Sequence, residues 1–140
     1  MTARGALRRL LYTDSEMLGL GFIADRIYAA NSADSPDTDE PFIVIRHELS
    51  EKAFTTFGVD IVSFWVHLPR KVTTDYASID NALDRIKTLV VNAEQYPGDD
   101  GWVLTAGSYV DTSGDLVDEA YNTITKNSTF RVAAHSMVTP

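Results

Sequence analysis

Two stretches of the chain alternate as strands do, and both are apolar on both sides. From Val59 to Leu68, one face carries Val62, Phe64, Val66 and Leu68, and the other carries Val59, Ile61, Trp65 and His67. Strand side chains point to opposite faces in turn, so this run predicts a central strand covered on both. Phe42 to Leu49, introduced by Pro41, repeats the signature, with Ile43 and Ile45 on one face and Phe42, Val44 and Arg46 on the other. In a chain with few helices the second cover must be found somewhere. In a monomer it is a helix or a terminal segment; in an oligomer it is a neighbour's surface, where tryptophan is enriched.

Helical spacing appears twice. Between Ala3 and Tyr12, Ala6, Leu7, Leu10 and Leu11 recur on one side, with Arg4, Arg8 and Arg9 on much of the other. Pro69 ends the second strand because it cannot donate to a ladder, and Thr74 or Asp75 stands where a helix cap is needed. From Tyr76 to Tyr96, the residues Ile79, Leu83, Ile86, Leu89, Val90 and Ala93 then form a single apolar stripe, and Asp80, Asp84, Arg85 and Lys87 stay outside it.

The remaining segments are shorter. Gly19 and Gly21 punctuate the chain before Phe22 to Tyr28, which reads as a strand. Beyond "YPGDDG", Trp102 to Val110 reads as a strand, and Ala120 to Ile124 and Thr129 to Ser136 read as a hairpin turning at "TKNS". Two acidic loops stand out: 30–40, with Asp34, Asp37, Asp39 and Glu40, and 111–119, with Asp115 and Asp118. The first lacks the glycine of a calcium loop at its sixth position, so a solvated loop is the expectation.

Length and composition fit one globular domain over residues 1–140, with 44% hydrophobic and 23% charged residues. The absence of cysteine excludes a disulfide framework, a thiolate zinc site and a cysteine nucleophile. No apolar run approaches the about 20 residues needed to span a bilayer, and a cytoplasm-like compartment is expected. The net charge of −8 has the wrong sign for gripping a phosphate backbone. An acidic surface still has a use beside DNA, because like charge prevents sticking.

Candidate chemistry is sparse. The three histidines, His47, His67 and His135, fall near strand ends and lack metal-ligand spacing. Ser63, His67 and Asp75 compose a triad on paper, without a nucleophile elbow or a glycine-rich oxyanion loop. "GLG" at Gly19 to Gly21 is not a dinucleotide fingerprint, and no phosphate-binding loop exists, so neither a catalytic residue nor a cofactor is expected. The arginines of the first helix, Arg4 and Arg8 among them, form either a solvated face or a contact for an acidic partner.

The order "EPFIVIRHE", "FWVHLPRKVTTDYASIDNALDRIKTLV" and "GDLVDEAYNTITKNSTFRVAAH" resembles the tail terminator (tail completion) proteins of bacteriophages with long, non-contractile tails. The shared signals are a proline-led strand after an acidic loop, and a strand ending in His67 and Pro69. Next come the "DYASID" helix start and an acidic segment before Phe130-Arg131-Val132. The likeness runs from about Phe22 to His135.

Membership implies an α+β domain, a mixed or mostly antiparallel sheet with the long central helix and the N-terminal helix packed against it. It implies a non-enzymatic virion protein, assembled in the host cytoplasm and located at the head-proximal end of the tail. There a ring, a hexamer in such proteins, caps the tail tube protein, ends its polymerisation and meets the head-tail connector or stopper protein.

Within that frame Trp65, His67 and Ile61 are expected at a subunit contact, together with Arg4 and Arg8. The acids Asp34, Asp37, Asp39, Glu40, Asp115 and Asp118 are expected to face the lumen, where DNA passes without specific binding, or a partner. Other readings are a different neck component, a head-tail connector, a tube subunit or a small non-enzymatic binding domain.

Overall fold

In the computed structural model, residues 3–29, 39–54, 57–98 and 101–136 are described, the side chains of 51–54, 57, 58 and 136 excepted. The first helix, α1 (Arg4–Tyr12), buries Ala6, Leu7, Leu10 and Leu11, the stripe its spacing predicts. A short helix, α2 (Ser15–Gly19), follows, capped by the Asp14 carboxylate, which accepts from the Met17 N–H at 3.0 Å.

The segment expected to be a strand from Phe22 is mostly a 3-10 turn at Ala24–Arg26, and only Ile27–Tyr28 (β1) is extended. The cause is Arg26, which is buried and donates to the carbonyls of Pro41 (3.0 Å) and Glu40 (2.7 Å), tying this turn to the entry of the next strand.

The long hairpin of β2 (Phe42–Phe54) and β3 (Phe57–Pro69) extends both strongly apolar runs beyond their expected limits. Phe42 pairs with His67 and Val44 with Trp65, and an irregularity between His47 and Leu49 shifts the register. Then α3 (Ala77–Asn92) begins under Asp75, whose carboxylate accepts from the Ala77 N–H at 2.9 Å. It ends four residues short of the expected Tyr96. Gln95 takes a left-handed φ of 50°, and Tyr96–Pro97 (β4) pairs with β5 (Trp102–Thr112).

The greatest departure concerns the last hairpin. Residues Thr123–Ser136 form one unbroken strand, β7, and "KNS" lies in its middle: Lys126 pairs with Val66, Asn127 with Trp65 and Ser128 with Phe64. A residue with poor strand propensity is held there because β7 is flanked on both sides, by β3 and by β5 and β6 (Leu116–Asp118). Ser128 is buried and shares a hydrogen bond with Thr112 at 2.8 Å. The turn is instead at Glu119–Asn122, where Asn122 has a φ of 54° and the Asp118 carboxylate accepts from the Tyr121 N–H at 3.0 Å.

The sheet runs β1-β2-β3-β7-β5-β4, antiparallel except for β1 on β2, with β6 beside β7. It is the mixed α+β architecture expected. Helices α1 and α3 cover one face, where Ile43, Ile45, Val62, Phe64, Val66, Phe130 and Val132 meet Leu7, Leu11, Ile79, Leu83 and Ile86. The C-terminal part of α3 lies so close to β5 that a Cβ on Gly107 would stand 2.6 Å from the Val90 carbonyl oxygen. The opposite face, with Val59, Ile61 and Trp65, lies outside that cluster and is only half-buried at those positions.

Candidate interaction surfaces

The open sheet face is built around Trp65. Its indole N–H donates to the Ser63 hydroxyl (2.9 Å), which donates in turn to the Glu48 carboxylate (2.6 Å). The Arg46 guanidinium lies over the indole ring, 5.6 Å from its centroid. Ile61 and Leu49, paired across β3 and β2, extend the apolar ground, and Leu49 is 56% exposed. The half-buried indole is therefore held in one orientation by polar neighbours, as a preformed contact residue would be.

His67 belongs elsewhere, although it shares this strand face. It is 3% exposed, stacks on Phe42, meets the edge-on ring of Tyr121 at 5.4 Å and shares a hydrogen bond with the Thr123 hydroxyl at 2.8 Å. Burial pushes its pKa down to about 4, against a smaller opposing pull from Asp118. His67 is thus part of the chain's own interior, which does not suit the subunit contact expected of it. The paper triad does not assemble either: Ser63 bonds Glu48 and Trp65, His67 bonds Thr123, and Asp75 accepts from the first N–H of α3.

Arg8 also turns inward, donating to the carbonyls of Ile27 (2.8 Å) and Ala24 (2.7 Å). Its role here is to fasten α1 to the turn before β1, whereas a partner contact was expected. Arg4 is half-buried at the start of α1.

Of the described acids in the two acidic segments, Asp39 and Glu119 pair with cations on the link between β3 and α3, and Asp115 with one on β7. Asp34 and Asp37 lie outside the described residues. Asp39 bonds Lys71, which holds its carboxyl below the usual carboxylate range, and Glu40 lies 3.9 Å from Arg26. Arg70 pairs with Glu119 at 3.5 Å. Lys126 reaches Asp80 (2.5 Å) and Asp115 (3.8 Å), and the bond to Asp80 raises its pKa. Asp118 is occupied in its turn and lies near His67. The Tyr76 hydroxyl donates to the Leu116 carbonyl at 2.6 Å and joins the loop before α3 to β6. Sequence spacing could not reveal the pairs of Asp115 and Glu119, because they depend on β6 taking a place beside β7.

A third feature is the groove between α2 and α3, lined by Glu16, Leu20, Asn81, Asp84, Arg85 and Thr88. Arg85 holds its shape with a two-pronged bond to Asp14 at 3.0 and 2.7 Å. That bond lowers the Asp14 pKa and raises that of Arg85. Among the described residues no cluster of His, Asp or Glu is arranged to hold a metal ion, and no helix is long and apolar enough to cross a membrane.

No family model matches the sequence, and no curated protein matches it. A solved structure does. The chain is similar to a chain of a particle described as "Virion of native gene transfer agent (GTA) particle", with a TM-score of 0.70 over 95% of this chain and 94% of that one. The likeness shows the fold. At 12% identity it does so without shared side-chain detail.

Proposed function

We propose that this chain is a virion structural protein of the tail terminator type. It forms a ring, a hexamer on this reading, that caps the head-proximal end of a tail tube, ends addition of tube subunits and presents its other face to the head connector. The observation that carries the reading is the end-to-end fold similarity to a chain of a phage-like virion particle, in a sequence whose order of motifs resembles tail terminators.

The surfaces support it. The Trp65 face, with Ile61 beside it, offers a preoriented apolar contact for a neighbouring copy. The surplus negative charge keeps DNA moving through the ring without being held.

Electron microscopy of particles made without this protein tests the reading. Overlong or irregular tails without heads are expected, and normal tails overturn it. Purified protein should stop at closed rings, whereas open-ended tubes would identify a tube subunit.

A further inference from the structure

We infer that the groove between α2 and α3 receives the Trp65 face of a neighbouring copy, with the Arg46 guanidinium of that copy set against Glu16 and Asp84. The inference rests on the ring reading above and names the surface that answers Trp65 within it.

A closed ring of identical chains repeats one head-to-tail contact, so each subunit needs two unlike patches that fit each other. Trp65 lies on the sheet face that α1 and α3 leave open, and the groove lies in the helix layer on the other side. With a volume of about 590 Å³, the groove is in the size range of clefts that enclose small organic groups. Its shape is set before anything binds. Arg85, on α3, grips Asp14 with two bonds and lies 3.4 Å from Glu16, which locks the two helices together. Leu20, 37% exposed, adds an apolar wall.

Charge selects the occupant. Asp14, Glu16 and Asp84 set three carboxylates against the one cation Arg85, which is engaged by the first two. Among the described residues no cation of the chain pairs with the exposed Asp84 carboxylate, and Asn81 stands one helix turn away with its amide. A phosphate backbone is repelled by such a groove.

Arg46 is the complement. Its side chain is 57% exposed, and the Glu48 carboxylate is 3.9 Å away, too far for a hydrogen bond. Its guanidinium lies over the Trp65 indole, so cation and aromatic ring arrive together. Arg70, Lys71 and Lys126 are by contrast held by Glu119, Asp39 and Asp80 of their own chain.

Charge exchange tests the contact with Arg46→Glu and Asp84→Arg, both at exposed sites where circular dichroism should show an unchanged fold. Each variant alone sets like charges together at every interface. By sedimentation its rings should be lost, with the dissociation constant raised about tenfold or more. An equal mixture should recover closed rings, because the changed face of one variant meets the changed groove of the other and the unchanged surfaces meet as in the wild type. Rings from either variant alone, or none from the mixture, overturn the inference, while wild-type rings keep the ring reading intact. A wild type that stays monomeric overturns both.

The chain has no cysteine, so a short bis-maleimide gives a second readout that leaves both charges in place. It should join the Leu49→Cys variant, changed on the open face, to the Thr88→Cys variant, changed in the groove, and neither to itself. Coupling of like with like, or none, counts equally against the groove.

Discussion

The imidazole of His67 lies flat on the ring of Phe42, with centroids 4.6 Å apart and planes 6° from parallel. The stack requires a neutral histidine inside the sheet, and burial holds its pKa at about 4. The unfolded chain, near 6.5, therefore binds the proton first as pH falls. The stability from this group is complete above about pH 6.5 and is lost as pH drops towards 4, by up to about 3 kcal/mol. Urea denaturation at a series of pH values should show this slope in the wild type and a shallower one in His67→Phe. Equal slopes would falsify the assignment.

Gly107→Ala should destabilise the fold by about 1–3 kcal/mol, because the new Cβ must displace the Val90 carbonyl and its helix turn. The urea midpoint measures it, and an unchanged midpoint means that α3 can move away from β5 at little cost.

Asp14→Ala removes both the cap of α2 and the two-pronged partner of Arg85, which keeps only Glu16 at 3.4 Å. A loss of about 1–2 kcal/mol is expected at neutral pH. The wild-type advantage should shrink as acid protonates Asp14, whose lowered pKa makes its contribution present above the carboxylate range and absent below it. A difference between the two proteins that does not change with pH would remove the ion pair from the account.

Trp65→Ala should weaken the oligomer more than the fold. Ser63 retains its bond to Glu48 in the variant, and the indole is outside the main core. Sedimentation velocity and chemical denaturation separate the two effects; an oligomer of unchanged strength counts against the Trp65 contact.

Much of this architecture was legible in the sequence because period and burial agreed there. The stripe from Ile79 to Val90 and the alternation from Val62 to Leu68 each had one physical solution. Local signals misled where tertiary pairing outweighed them. "TKNS" has turn composition, yet its backbone groups are claimed by strands on both sides, and the true turn waits for Asn122. Phe22 to Tyr28 looked extended, but burial of Arg26 against the Glu40 and Pro41 carbonyls coils it.

The candidate surfaces divided in the same way. Trp65 stands out in the sequence because the second face of an apolar strand needs a cover. His67 and Arg8 look like surface residues in a list of letters, and only the positions of Phe42, Tyr121 and Ala24 show that they face inward.

The placement of β7 also bears on how the molecule is made. It is the last strand in chain order yet stands in the middle of the sheet, and its first residue, Thr123, meets Pro69 and His67 of a hairpin completed long before. Until β7 arrives, the β2–β3 hairpin offers an unpaired edge, β5 has only the two-residue β4 beside it, and β6 has no strand to join. Closing so long a loop makes the sheet a slow, late step. During synthesis the waiting edge of β3 is a template for any extended segment nearby, so chaperone demand and misassembly should concentrate there, before the ring can form.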